Sequence, residues 1–417
     1  MEKIIIITIL ALIFARLISE SFLSWINIRE VRRREDKPPR SISRVMDEKT
    51  YRKSVQYTLA KEKLGLFSGF YETIILLMVI FSGFLPWLYS YFSVTGVEFQ
   101  VFKESLFILS AMMIISLPGI PVEYYSQFRL EERFGFNKSS IKLWITDKIK
   151  GLIIGLAIGL PITALIIYFI SALENYWWVW AFVFLFVFQL VMMVLYPMLI
   201  LPLFNKLTPL PDGELRNRLM DLADRTGFKA QTIQVMDGSK RSGHSNAFFT
   251  GFGRFRRIVL FDTLIEQLSV DELEAVLAHE IGHYKKGHVP KMVGLSALMS
   301  LAGLWVIDWL LKYPGFVQAF GFDFEQSGPG PALLLFGLLS GLFTFWLSPL
   351  LGLLSRKHEY ESDRFAAEHA GSEPMIRALS KLSEKNLSNL TPHPLYSAFY
   401  YSHPTFFERE RAIRENQ

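Results

Sequence analysis

Apolar residues fall into seven long runs along this chain, at roughly 4–26, 66–92, 106–124, 152–170, 177–203, 289–311 and 331–354. Each approaches or exceeds the ~20 residues that carry a helix across a bilayer. Arg16 and Glu20 interrupt the first run; four apart on one helix face, they can pair and so soften the cost of burial in lipid. That run lacks a basic start and a small-residue cleavage site, so it reads as a retained span rather than a secretory signal. Pro118 and Pro121 break the third run, and Pro161 sits inside the fourth. In lipid such breaks persist where the freed backbone groups face protein or a water-filled cavity, which suggests a hydrated space among the helices. An ordinary kink is the plainer alternative.

The polar stretches carry other periods. In 204–288 an amphipathic helix at 214–227 stops at Gly227, and 233–236 is a short strand. Apolar-aromatic runs at 246–250 and 257–261 flank a turn at 251–256, the pattern of a hairpin. At 269–288, SVDELEAVLAHEIGHYKKGH, Ser269 caps a helix, Glu272 completes a capping box and Asp271 favours the positive end of the dipole. This helix runs almost directly into the sixth span. The chain therefore divides into 1–203 (five spans and their loops), 204–288 (a small α+β domain), 289–354 (spans six and seven) and 355–417 (a C-terminal segment). The fold class this implies is an all-α polytopic membrane protein carrying a small α+β cytoplasmic domain.

Composition sharpens the picture. Of 417 residues, 51% are hydrophobic and 15% aromatic, with mean hydropathy +0.28, too apolar for an ordinary soluble domain. The absence of Cys excludes disulfides, thiolate metal ligands and a cysteine nucleophile together. The net charge of +5 is modest, and its placement matters more. Twelve Lys or Arg lie between Arg29 and Lys63, and the loop 127–150 is also basic, whereas the alternate loops 93–104, 172–175 and 313–330 hold only Lys103. By the positive-inside rule the N-terminus faces outwards, while 204–288 and the tail face the cytoplasm. The lipid bilayer is a partner; no nucleic-acid module is present, and nothing in the pattern sets an oligomeric state.

The chemistry concentrates in His279-Glu280-Ile281-Gly282-His283. Positions four apart share a helix face, so His279 and His283 can offer two ring nitrogens to one Zn²⁺, with Glu280 on the adjoining face placed to take a proton from a zinc-activated water. Gly282 costs roughly 0.5–1 kcal/mol in a helix interior, which argues against a merely structural helix. Catalytic zinc usually takes three protein ligands, and candidates for the third lie in 355–370, SRKHEYESDRFAAEHA. On a helix Glu359 and Asp363 share a face, and Glu361 points about 200° round from Glu359. One carboxylate can bind the ion and the other orient a ligating His; spacing does not say which. Glu368, His358 and His369 compete, most of them read as solvated helix-face residues. His244, His288 and His393 show no ligand spacing. Arg254, Arg256 and Arg257 read as a solvated basic face.

HEIGH at 279–283 together with SRKHEYESDRFA at 355–366 resembles the integral-membrane CAAX prenyl protease 1 family of zinc endopeptidases. KRSGHSNAFFTGF at 240–252, RRIVLFDTL at 256–264 and YSHPTFFERERAI at 401–413 extend the resemblance over most of the chain. It implies His279, His283 and Glu359 as zinc ligands, Glu280 as general base and Asp363 as the partner orienting a ligating His. Asn246 and His403 would approach the scissile carbonyl or its oxyanion. The implied fold is a barrel of seven long helices around a water-filled chamber, with zinc at its cytoplasmic end. The implied substrate is a peptide or protein ending in a CAAX tripeptide after a prenylated Cys. Asn246, Ala247, Phe248 and Phe249 would bind it, since an exposed strand edge can take an extended peptide by main-chain pairing.

Tyr284 stands where members of the family commonly have Trp. The chain ends Arg414-Glu415-Asn416-Gln417, without an ER-retrieval signal of the KDEL type, so the membrane is read as bacterial inner membrane or ER, the former favoured. Two rivals remain: a membrane-protein quality-control metalloprotease, and a non-catalytic transporter or receptor with a structural metal site.

Overall fold

The apolar runs are only the middles of longer helices. A computed structural model describes residues 1–35, 38–94, 99–228, 232–250 and 257–415. In it α1 (Glu2–Glu35) and α2 (Glu48–Phe81) each hold 34 residues, roughly 50 Å of helix against a hydrocarbon core of about 30 Å. The surplus turns, such as Arg32–Arg34 of α1, project beyond the apolar part. The run 66–92 proves to be two helices: α2 ends at Phe81, and α3 (Phe84–Val94) begins after Gly83, whose φ of +79° strains any other residue.

The third span begins with α4 (Gln100–Ser116) and continues to Phe134. Pro118 tightens Leu117–Gly119 to a 3₁₀ turn, and Ser126–Glu131 widens to a π turn. Both flank a cavity of about 630 Å³ between the second and third spans. Pro161 sits in an unbroken α5 (Ile141–Ala172). The fifth span is built on α6 (Trp177–Leu195).

A four-stranded sheet then interrupts the membrane helices, in the order β1-β2-β4-β3. β1 (Leu207–Pro209) precedes α7 (Glu214–Arg225), which ends before Gly227 at φ +61°, and β2 (Thr232–Met236), β3 (Ala247–Thr250) and β4 (Arg257–Phe261) follow it. The expected hairpin is β3–β4, antiparallel with Ala247 opposite Leu260 and Thr250 opposite Arg257. Its turn, with Arg254 and Arg256, lies outside the described residues. β2 lies parallel to β4, which leaves β3 as an edge. The unexpected β1 is three residues ending in Pro, too short to carry an alternation.

α8 (Val270–Lys285) carries both arms of the capping box. After Gly287 the chain enters α9 (His288–Leu311), then α10 (Gly330–Thr344) and α11 (Ser348–Ala370). The seventh span runs Gly330–Ala370 with only a 3₁₀ turn at Phe345–Leu347. α12 (Ser372–Lys385), α13 (Pro394–Tyr400) and α14 (Phe406–Glu415) complete the chain.

The helices close a ring. α1 packs on α2, α4 on α5, α5 on α6, α6 on α9, α9 on α10 and α10 on α1, while the π turn of the third span touches α2. Only 6% of the apolar windows of spans two, four and five is buried. A solid bundle would bury an inward stripe on each; these helices instead present one face to lipid and another to an interior space, the barrel around a chamber. One end is plugged by an apolar cluster around Leu85, Phe107, Phe320 and Leu335. At the other, α7, α8, α12 and the sheet bury Leu222, Phe228, Leu260 and Leu277 in a second core.

Candidate active site

α8 and α11 cross at Gly282. A Cβ there would stand 3.0 Å from Ser362 Cα and 3.1 Å from Phe365 Cβ, so the absent side chain lets the two helices meet backbone to backbone. The close approach brings Glu359 to the two histidines one turn away. His279 Nε2 and His283 Nε2 are 3.1 Å apart. Glu359 Oε1 lies 3.2 Å from His283 Nε2, and Oε2 lies 3.5 Å from His279 Nε2.

These separations answer whether a metal fits. Tetrahedral ligands at about 2.0–2.1 Å from Zn²⁺ stand roughly 3.3 Å from one another, and the three observed spacings bracket that value. No other group of three such residues is close enough among the described residues. Among the described residues Glu359 Oε2 is buried without a hydrogen bond, and His403 Nδ1 stands 2.8 Å from it. Burial lowers the pKa of His279, yet the Asp363 and Glu359 carboxylates beside it outweigh that and raise the value to about 9. The carboxylates thus favour positive charge on this cluster, a demand that a divalent cation meets.

Asp363, on the same face of α11 as Glu359, accepts from His279 Nδ1 at 2.9 Å. It is held in turn by Arg409 of α14, whose Nη2 and Nε donate at 2.6 and 2.8 Å. Arg409 Nη1 also lies 3.5 Å from Glu359 Oε2. Arg409 lies in the run 401–413 with no role legible there, because an Arg spaced for a helix face looks like any surface cation until the fold buries it.

Glu280 shares a cavity of about 700 Å³ with His279, Glu359, His403, Asn246 and Ala247. Among the described residues its carboxylate has no hydrogen-bond partner, and burial, reinforced by Glu359, raises its pKa against the pull of the two histidines. A carboxyl pushed upwards in this way is a better proton acceptor near neutrality. His403 is exposed, standing over Glu359. Asn246 turns its Oδ1 to the Ala247 N–H at 2.9 Å, which leaves its amide N–H₂ for the cavity. Phe248 and Phe249 do not line that cavity: Phe248 packs on Phe261, and Phe249 on Phe228 and Tyr284. The Tyr284 ring thus fills a place in the domain core rather than in the site.

Other histidines differ from their sequence reading. His358 is buried rather than solvated, because α11 packs against α8 on one side while the His358 ring stacks on His288 of α9 on the other, with centroids 4.0 Å apart. His288, without ligand spacing, is 3% exposed and touches His283, its Nδ1 3.0 Å from the His283 Nδ1. Its Nε2 stands 2.9 Å from Glu361 Oε2. His244 stacks on Phe136 and bonds Asn386 and Glu131, joining the segment before β3 to the third span. His393 caps α13. His369 bonds the Phe365 carbonyl, and Glu368 is exposed as expected.

Known proteins match this chain over nearly its whole length. A family model described as CAAX prenyl protease N-terminal, five membrane helices, matches residues 27–206, and Peptidase family M48 matches 209–417. The CAAX prenyl protease 1 of Saccharomyces cerevisiae is 39% identical over 94% of this chain and 92% of its own length. The CAAX prenyl protease 1 homologs of Arabidopsis thaliana and Homo sapiens are 36% and 31% identical, covering 90% and 95% of this chain and 90% and 92% of their own. The crystal structure of S. mikatae Ste24p superposes with a TM-score of 0.90 at 39% identity, over 97% of this chain and 98% of that one. A barrel of seven membrane helices, with a two-histidine, one-carboxylate cluster where α8 meets α11, places this chain in the CAAX prenyl protease 1 family, the membrane metalloproteases of peptidase family M48.

Proposed function

We propose that this protein is a zinc endopeptidase that removes the C-terminal tripeptide from prenylated CAAX proteins at the cytoplasmic face of its membrane. The observation that carries the reading is the convergence of His279 Nε2, His283 Nε2 and a Glu359 oxygen at 3.1–3.5 Å beside Glu280. His279, His283 and Glu359 would hold Zn²⁺, which when bound polarises the scissile carbonyl and acidifies water. The rest is done by the chain. Asp363, clamped by Arg409, fixes His279 in the tautomer that presents Nε2. Glu280 takes a proton from the water that attacks the carbonyl carbon, and returns it to the leaving nitrogen as the C–N bond breaks. Asn246 and His403, on the same cavity wall, donate to the developing oxyanion; one such donor is worth about 3–4 kcal/mol. The free edge of β3 takes substrate by main-chain pairing, a role that Phe248 and Phe249 fill with their backbones alone.

The substrate class is the one for which the similar CAAX prenyl proteases are named. Both basic segments pack at the metal-ligand end: Val31, Ile42 and Tyr51 share a core with Leu277 and Ile281 of α8, and Asp147 pairs with Arg241, which supports a cytoplasmic site and an outward N-terminus in ER or bacterial inner membrane. The test compares one CAAX peptide with and without farnesyl, in zinc-loaded and chelated protein and in Glu280→Ala. The expected result is farnesyl-dependent, chelator-sensitive cleavage, with zinc retained but turnover abolished in the variant. Equal cleavage of unprenylated unfolded peptides would favour a quality-control protease instead, and undiminished cleavage by Glu280→Ala would remove the proposed base.

A further inference from the structure

Resting on the metal-centre reading, we infer that His288 and Glu361 form a positioning relay for His283, the counterpart of the Asp363–Arg409 pair behind His279. Three of the four carboxylates of α11 fall at 359, 361 and 363, the fourth being the exposed Glu368. Glu359 and Asp363 share a face, and Glu361 points away from it. It therefore cannot reach a metal-ligating ring directly, and a ring from another helix bridges the gap.

The donors and acceptors allow a single arrangement. His283 Nε2 faces His279 and Glu359, so when it ligates a metal its proton sits on Nδ1. The His283 Nδ1–H points at His288 Nδ1, 3.0 Å away, which must then accept. The proton of His288 is consequently on Nε2, and it donates to Glu361 Oε2 at 2.9 Å. Burial of His288, and the parallel stack of His358 on its ring at 13°, keep that plane fixed. Gly287, at φ +67°, turns the chain so that His288 opens α9 directly behind α8. Each ligating histidine thus has its outer nitrogen held through a chain that ends in a carboxylate of α11.

The test uses full-length protein stripped with a chelator and titrated with Zn²⁺ against a competing indicator, with Tm of the stripped form as a folding control. Outer partners of ligating histidines typically carry a 10–100-fold effect on metal affinity, and His288→Ala is expected to lose affinity in that range. Asn places an oxygen near Nδ1, whereas Gln places its amide near Nε2, so His288→Asn should stay closer to wild type than His288→Gln. Glu361→Ala should weaken zinc in the same direction and add nothing to His288→Ala, since the two act in series. Wild-type affinity in His288→Ala, or equal losses in the Asn and Gln variants, would overturn the relay. Should His288→Ala fail to fold, Glu361→Ala decides, its carboxylate being one-third exposed: unchanged zinc affinity there would also overturn it. A wild-type protein that binds no Zn²⁺ would instead sink the proposed function.

Discussion

Gly282→Ala adds one methyl group where two helices touch. Its Cβ would meet Ser362 Cα at 3.0 Å, Phe365 Cβ at 3.1 Å and the Ser362 carbonyl oxygen at 3.2 Å, against comfortable carbon contacts of about 3.5–4.0 Å. None of the three is the tip of a flexible side chain, so α11 must retreat by roughly 0.5 Å or more. Ser362 lies next to Asp363 and one turn from Glu359, so both move with it. Metal–ligand distances tolerate only about 0.2 Å, and misplacing reacting groups by about 1 Å can cost 10²-fold in rate. Stability changes less: overpacking costs about 1–3 kcal/mol, while Ala in place of Gly returns about 0.5–1 kcal/mol of helix propensity. The signature is therefore a folded protein, with Tm lowered by a few degrees, that has weakened Zn²⁺ affinity and loses 10–100-fold in kcat/KM on a farnesylated peptide. Gly337→Ala, with no atom within 4 Å of the added Cβ, serves as the neutral control. A folded Gly282→Ala protein with wild-type zinc affinity and kcat/KM would refute the argument that this crossing sets the site.

Three further outcomes follow from contacts described above. Arg409→Ala strands the buried Asp363 carboxylate, and breaking a buried pair costs about 3–5 kcal/mol. Arg409→Lys should not restore it, since two donors in a fixed fork are lost; Tm and zinc titration read both. Burial raises the Glu272 pKa, but Lys381 and the Ser269 N–H outweigh it and hold the carboxyl below its usual value. Its contribution to stability is thus present above the unfolded value of about 4.3 and is lost as pH falls through the lower folded one. Glu272→Gln should lower Tm at neutral pH and converge on wild type in acid; parallel Tm curves would contradict this. Zn²⁺ at 100 times its Kd stabilises a folded protein by about 2.7 kcal/mol, so chelation should lower Tm of the wild type and leave that of His279→Ala unmoved.

What the sequence disclosed and what it hid divide along physical lines. The spans were legible because lipid demands continuous apolar stretches; the break at Gly83 was not, since α3 is as apolar as the end of α2. The pairs His279–His283 and Glu359–Asp363 were legible because helical spacing of four is a local property, while the choice of Glu359 over Asp363 as ligand came from the family resemblance alone. Arg409 and His288 belong to other helices, and no spacing within α8 or α11 points at them. Gly282 announced itself by its cost in a helix, yet the reason for it, the backbone of Ser362, lies 80 residues away. His358 looked solvated because a helix read alone has no second neighbour.

α11 carries Glu359, the proposed third ligand, and on the adjoining turns the carboxylates that would end both outer chains. One rigid rod therefore carries three functions through a single coordinate, its distance from α8. Sliding that rod loosens grip and braces together, so ion loss should be all-or-none, with no half-assembled centre in between.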